Sequence, residues 1–143
     1  MPITYSLVPE DRLVLTVWRG PVTLKDWEDH LTAMLGDPDF NATRNHLVDI
    51  RSAQIDPGLG QSEIQAIVDY LMPHRARIEG RKAAVLAAHE MPKSDLVADL
   101  VRQLGLRLIT FIFLDPALDW LGLEAAGIED HLRDLREKLE PPA

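Results

Sequence analysis

Two short apolar runs constrain the fold of this 143-residue chain more than any other feature of its sequence. Residues 83–88 are all apolar, and residues 108–114 are interrupted only by Thr110. Such continuous apolarity over so few residues is typical of strands that are buried on both faces of a parallel sheet. A helical apolar pattern over residues 94–104 separates the two runs. The combination predicts a parallel strand–helix–strand unit, with both strands at the centre of the sheet.

The N-terminal half continues this alternation of strands and helices. Residues 3–8 and 13–18 are rich in β-branched and aromatic residues and flank a Pro-Glu-Asp turn, which predicts a β-hairpin. Thr23 then has the features of a helix N-cap, and Gly36 those of a helix end. Residues 46–50 predict a third strand, followed by a loop over residues 51–60.

Two further helices are indicated by capping signals. Ser62 and Gln65 fit a capping box for a helix that Pro73 should end or kink. After the last strand, Asp115 is expected to cap a helix that has Pro116 at its first position.

The C-terminal segment has the apolar spacing of a coiled-coil seam. Gly122 and Gly127 interrupt the preceding helix, and an amphipathic helix is expected over residues 128–139. The seam must be buried either on the domain itself or on a partner, and we expect a homodimer formed through its four aliphatic residues: Ile128, Leu132, Leu135 and Leu139.

The order of elements predicts an α/β fold with a mixed, mostly parallel sheet of about five strands covered by helices. The N-terminal hairpin adds one antiparallel edge. A chain of this length is large enough for one core. We expect residues 1–121 to form the α/β domain and residues 122–143 to be a helical extension of the same domain.

The composition argues against several classes of partner. The net charge is −8, from 15 basic and 23 acidic side chains, which disfavours binding to nucleic acid. No apolar stretch approaches the length of a membrane span, so we expect no integral membrane association. No secretory signal is recognisable, so a cytoplasmic location is expected. A basic stretch over residues 74–82 could attract an anion, or it could be a solvated helix end followed by a strand.

No pattern of catalytic or metal-binding residues stands out. The chain has no cysteine, and none of its four serines lies in a G-x-S-x-G turn. The five histidines lack the spacing that gathers a metal on one helix face. We therefore expect a protein without enzymatic activity, cofactor or metal.

The ordered elements, together with three short motifs, resemble the SpoIIAA-like proteins of the STAS superfamily over residues 1–121. The motifs are Asp26-Trp27 within a helix, Asp49-Ile50-Arg51 closing the third strand, and Ala-Leu-Asp-Trp-Leu at residues 117–121. Anti-sigma antagonists of that superfamily carry a DSSGLG segment after the third strand. This chain has a segment one residue shorter there, with Pro57 where a serine would stand, so the resemblance implies no phosphoserine switch.

The resemblance implies a STAS-like regulatory or protein-interaction domain that recognises a partner protein or a small anion. Ligands of open α/β sheets gather beyond the carboxyl ends of the parallel strands, which places the expected site where the third strand ends and the second helix begins. Asp49 and Arg51 could instead pair only with each other. The candidate site residues are Asp49, Arg51, Asp56, Gly58, Gly60 and Ser62.

A carrier function is the alternative. SpoIIAA-like proteins also resemble small lipid-binding domains of the CRAL-TRIO type. That resemblance implies an apolar, lipid-like ligand held between the helices and the sheet.

Overall fold

The computed structural model describes residues 2–55, 58–89, 101–125 and 127–139, and it contains one five-stranded sheet. The first strand is antiparallel to the second, and all the other neighbouring strands are parallel. The predicted mixed, mostly parallel sheet with an antiparallel hairpin at one edge is therefore confirmed. In the order in which they lie side by side, the strands are β1 (Ile3–Val8), β2 (Leu13–Val22), β3 (Asn45–Ile55), β4 (Lys82–Leu86) and β5 (Arg107–Phe111).

Helices cover both faces of this sheet. Because each parallel strand lies next to its predecessor in sequence, right-handed connections place the intervening helices on one face. The opposite face is left to the helices that follow β5. Most of the predicted helix over residues 94–104 lies outside the described residues. In the part that is described, residues 101 and 102 are helical. The helices are α1 (Leu24–Leu35), α2 (Gln61–Leu71), α3 (Arg75–Ile78), α4 (Leu114–Leu121) and α5 (Ile128–Lys138).

Each face of the sheet has its own apolar core. Successive residues of a strand point to opposite faces, so Val14 of β2 packs with α1 and α2, whereas Leu13 and Leu15 pack with α4 and α5. Leu47 of β3 joins the second core and has no exposed surface. The cavity described below lies on the α1/α2 face.

The expectation that both apolar runs are central is wrong. The strand order makes β5 an edge strand and β4 its neighbour, so β3 is the middle strand. Ile112 and Phe113 of the second run lie beyond β5, and 72% of Phe113 is exposed. Leu108 of β5 faces the cavity and Phe111 packs toward Trp120, but no residue of β5 is fully buried and Ile109 is 42% exposed.

The predicted capping signals were correct for α1 and misplaced for α2 and α4. Thr23 Oγ1 accepts the N–H of Asp26, and the Asp26 carboxylate accepts the N–H of Thr23. The helix α2 begins at Gln61 rather than after Ser62 and ends before Pro73. The helix α4 begins at Leu114, one residue before Asp115.

The strand β3 is longer than its predicted range and takes in half of the predicted loop. It continues to Ile55 because β2 also continues, to Val22, and the two strands remain paired. Their register shifts by one residue, so that Ile50 and Arg51 lie opposite the single residue Trp18. Such a bulge bends the strand and leaves one residue outside the regular ladder.

The C-terminal seam is buried within the chain itself. Ile128, Leu132 and Leu135 are buried in the core between α5 and the sheet, where α5 lies mainly over β2 and β1, and Leu139 packs beside them. A homodimer through these side chains would require α5 to leave the sheet.

Candidate functional site

An apolar cavity lies between the sheet and the helices α1 and α2. Its volume is about 270 Å³, which exceeds the ~150 Å³ that holds a benzene molecule in a protein core. Residues from β2, β3, β4 and β5 form its floor, and the two helices form its roof. The apolar side chains that line it include Trp18, Leu31, Val48, Ile64, Val68 and Ala83.

A few polar groups interrupt this apolar lining. Thr16 of β2 and His46 of β3 come from the floor, and His30 of α1 comes from the roof. Burial lowers the pKa of His30 to about 4 and that of His46 to about 3, the latter helped by the positive charge of Arg81. Both imidazoles are therefore neutral at pH 7, and the cavity wall carries no charge from them.

Trp18 lines the cavity, but its indole Nε1 is buried and presents no surface to it. Its side chain is 8% exposed, and its indole Nε1 has no hydrogen-bond partner within the described part of the chain. Trp27 of α1 packs edge-on against it, with 5.5 Å between the ring centroids. Both indoles and His30 line the cavity.

Asp49 and Arg51, two of the predicted site residues, form an ion pair on the opposite face of the sheet. Arg51 donates from Nε and Nη2 to the two carboxylate oxygens of Asp49, at 3.0 and 2.9 Å. Its backbone N–H, at the bulge, also donates to Asp49 Oδ1. Arg136 of α5 adds a third side-chain hydrogen bond at 3.2 Å, and Glu129 lies 3.5 Å from Arg51. This arrangement ties β3 to α5.

The charge on Asp49 is favoured by these contacts. Asp49 is 1% exposed, and its burial alone raises its pKa. The hydrogen bonds from Arg51 and Arg136 outweigh that effect and hold the pKa below its ordinary value.

The glycines and Ser62 of the predicted site belong to the cavity face. Gly60 precedes α2, and its backbone N–H donates to the carboxylate of Glu63 at 3.0 Å. Ser62 Oγ donates to the same carboxylate at 2.9 Å. Gly58 is exposed, Leu59 lines the cavity, and Asp56 lies outside the described residues.

The six predicted residues are therefore not one cluster. Asp49 and Arg51 face α5, whereas Gly60 and Ser62 flank the helix on the other side of the sheet. The start of α2 already has a carboxylate on it, and Arg51 is engaged elsewhere. Recognition of a partner by these residues stays a prediction, and an anion bound jointly by Arg51 and the α2 N-terminus is disfavoured by this geometry.

The basic stretch over residues 74–82 is largely engaged within the chain. Arg75 pairs with Glu79 at 2.7 Å, and Arg77 donates to Asn41 and to the carbonyl of Leu35. Arg81 is buried and donates to the carbonyls of Phe40 and Arg77, which lie at the ends of short helices. Burial and neighbouring arginines lower its pKa to about 10. These contacts indicate a structural role.

One polar contact across the two ends of the chain was not foreseen. His131 Nε2 lies 3.2 Å from Ser6 Oγ of β1. Within the described ranges no carboxylate is hydrogen-bonded to His131, and no three His, Asp or Glu side chains gather as a metal site.

Sequence reasoning missed the cavity and Trp18. Thr16 and Trp18 alternate with apolar residues in β2, which is a signal that both face one side of the sheet. The volume between that side and the helices depends on how far the helices stand from the sheet, and a residue pattern does not report this distance.

Comparisons with known proteins locate the fold. No family model and no curated protein matches the chain. A solved structure that resembles it is an uncharacterised protein of the DUF3478 family from Shewanella loihica PV-4, described as having a SpoIIAA-like fold. The two chains are 16% identical and superpose with a TM-score of 0.54 over 83% of this chain and 91% of the other. The chain thus has the SpoIIAA-like α/β fold that its motifs led us to expect.

Among the helices of the described residues, none is long and apolar enough to cross a bilayer.

Proposed function

We propose that this chain is a non-enzymatic binding protein that holds one small apolar molecule in the cavity between its sheet and the helices α1 and α2. The observation that carries the proposal is the volume of about 270 Å³ lined by predominantly apolar side chains. Scaled from a benzene-sized cavity, this volume accommodates about ten non-hydrogen atoms. Protein interiors are ordinarily close-packed, so an apolar space of this size between the sheet and the helices is room that a ligand can fill.

The lining supports binding without chemistry. Its histidines are neutral at pH 7, and the apolar side chains provide the transfer free energy that drives an apolar solute out of water. A mostly apolar pocket with a few placed polar groups is the usual composition of a small-molecule site.

A cavity-filling substitution tests this proposal with tetralin, a neutral bicyclic hydrocarbon, as the probe. Ala83 is buried in β4 and lines the cavity, so Ala83→Leu should fill part of it and weaken tetralin binding by about tenfold or more. Ala33→Leu adds the same side chain at an exposed position of α1 and should bind as the wild type does. Isothermal titration calorimetry measures both. Equal affinities of the two variants, or no binding by the wild type, would refute the proposal.

Regulation through a partner protein is the second candidate, implied by the fold likeness. Fold likeness alone is a weak warrant for function. Native mass spectrometry of protein purified from its source separates the two candidates. A binding protein of the proposed kind retains a small-molecule mass, whereas an interaction domain without a ligand shows the mass of the chain alone or of a protein complex.

A further inference from the structure

The backbone of β5 has hydrogen-bonding groups that point away from the sheet. The carbonyl of Phe111 accepts the N–H of Ala87, so the backbone groups of the odd-numbered residues of β5 point toward β4. The N–H and C=O groups of Leu108 and Thr110 therefore point outward. Among the described residues, none forms a hydrogen bond with these four groups. The strand thus offers two donors and two acceptors to an added strand.

This edge lacks the features that ordinarily prevent strand addition. Proteins protect exposed edges with charged side chains, proline or bulges. Residues 108–114 contain no charged residue and no proline, and the pairing of β4 with β5 is regular. Ile109 is 42% exposed, whereas no residue of β1, the other edge strand, is exposed to a comparable extent. Of the two edges, β5 is the one that another chain can reach.

A groove beside this edge carries positive charge. Arg107 is exposed, and the described residues provide no hydrogen-bond or ion-pair partner for its side chain. No described residue that lines the groove is acidic. In a chain of net charge −8, this local positive charge favours a partner that carries a carboxylate. The groove is lined by residues from both faces of β5 and by neighbouring residues: Leu106, Leu108, Arg107, Ile109, Arg102 and Trp120.

A second copy of the chain does not meet this requirement. Antiparallel pairing of two β5 strands over residues 107–111 would place Arg107 of each copy opposite Phe111 of the other. Both arginines would then lack a carboxylate. Two chains that each carry a net charge of −8 would also repel each other.

We propose that β5 binds an extended segment of a partner protein as a sixth, antiparallel strand, and that a carboxylate of this segment pairs with Arg107. In strand addition the main-chain hydrogen bonds provide affinity, and alternate side chains provide specificity. The segment should have apolar side chains opposite Ile109 and Phe111, on the same face as the carboxylate. This interaction goes beyond the proposed function, because it does not require that the cavity is occupied.

A peptide and its charge-reversed form test the pairing with Arg107. In antiparallel register, the peptide Ac-TVTVVET-NH₂ places its glutamate opposite Arg107 and valines opposite Ile109 and Phe111. Arg107→Glu should weaken binding of this peptide by about five- to tenfold, as measured by NMR titration. Ac-TVTVVKT-NH₂ should bind Arg107→Glu to within about threefold of the original pair, which also shows that the variant is folded. Lys25→Glu, the same charge change at an exposed position of α1, should leave both affinities unchanged.

Two N-methylated peptides test the main-chain hydrogen bonds. The fifth residue of the peptide, a valine, lies opposite Leu108 and directs its N–H toward β5. The fourth residue, also a valine, lies opposite Ile109 and directs its N–H to solvent. N-methylation of the fifth residue should weaken binding by about tenfold or more, whereas N-methylation of the fourth should change it by less than about threefold.

Hydrogen exchange of the wild-type protein locates the added strand without any variant. The amide protons of Leu108 and Thr110 should exchange rapidly in the free protein and slowly in the presence of saturating Ac-TVTVVET-NH₂. The amide proton of Ile109 already bonds β4 and should exchange slowly in both states.

Several results would overturn the proposal. These are no binding of the glutamate peptide to the wild type, equal effects of the two N-methylations, or no preference of Arg107→Glu for the lysine peptide. Slow exchange of Leu108 and Thr110 without peptide, increasing with protein concentration, would overturn it as well, because a second copy would then occupy the edge. None of these results bears on tetralin binding, so failure here is distinct from failure of the proposed function.

Discussion

Asp49, in the middle strand of the sheet, and Arg136, in the last helix, are joined by a hydrogen bond of 3.2 Å between Arg136 Nη2 and Asp49 Oδ2. They are 87 residues apart in sequence. The same carboxylate also holds Arg51 at the bulge of β3. One buried charge therefore fixes both the shape of the strand and the position of the helix over it.

Removing this carboxylate should destabilise the fold. Asp49→Ala leaves Arg51 and Arg136 without their partner, and breaking a buried ion pair typically costs about 3 kcal/mol. Asp134→Ala, at an exposed position of α5, should change the free energy of unfolding by less than about 0.5 kcal/mol. Urea denaturation at pH 7 measures both. A similar stability for the two variants would mean that the ion pair contributes nothing.

The same comparison has a defined pH dependence. The pKa of Asp49 is lowered on folding, so its contribution is present above the ordinary carboxyl pKa and is lost as pH falls through the folded value. The stability difference between wild type and Asp49→Ala should therefore shrink at pH values below about 4.

The elements that were predictable from sequence are those whose signals are local. The β1–β2 hairpin and the Thr23 capping box depend on residues within a few positions of one another, and both are present. At α2 two overlapping sets have the same three-residue spacing, Gly60 with Glu63 and Ser62 with Gln65. Because Ser62 carries a hydroxyl, we predicted that the second set caps the helix. In the structure the Glu63 carboxylate accepts the N–H of Gly60, and the helix begins directly after Gly60.

Features that depend on tertiary geometry were not predictable. The apolarity of residues 108–114 does not report whether the strand is central or at an edge, and Ile109, Ile112 and Phe113 are exposed in the structure. The predicted site grouped Asp49 with Ser62 because ligands of open α/β sheets gather beyond the carboxyl ends of the strands. In the structure Asp49 faces α5 and bonds Arg136, on the opposite side of the sheet from Ser62. The cavity is lined by residues whose pattern is identical to that of a solid core.

The edge position of β5 leads to a sharp contrast between two aliphatic residues. Leu86 of β4 has no exposed surface, and Leu86→Ala should lower the free energy of unfolding by about 2–5 kcal/mol. Ile112 is 42% exposed beyond β5, and Ile112→Ala should change it by less than about 1 kcal/mol. Thermal unfolding followed by circular dichroism compares them. Equal losses would contradict the difference in burial between the two side chains.

His30 should make the fold sensitive to mild acid. Burial lowers its pKa to about 4, from 6.5 in an exposed histidine, so the unfolded chain takes up a proton in this window while the folded chain does not. Stability therefore falls as the pH drops from 6.5 toward 4, by about 3 kcal/mol for this group. His30→Phe should make the profile shallower over that range, and the buried His46 should account for part of the remaining slope. Denaturant titrations at a series of pH values measure it, and parallel profiles of wild type and variant would show that His30 is not the cause.

The last prediction concerns Leu132, which has no exposed surface and packs in the core between α5 and the sheet. If the seam of α5 serves only the chain's own core, Leu132→Ala should lower the free energy of unfolding by about 2–5 kcal/mol at every protein concentration. A seam that also formed a homodimer would behave differently, because dissociation is coupled to unfolding and the midpoint then rises with concentration. Thermal melts of wild type and Leu132→Ala over a hundredfold concentration range, together with light scattering of the intact chain, distinguish these cases.

We expect concentration-independent midpoints for both, since Ile128 and Leu135 are buried on the same sheet face and leave no apolar seam for a second copy to cover. A midpoint that rises with concentration in the wild type and not in the variant would show instead that α5 exchanges its partner sheet between two chains.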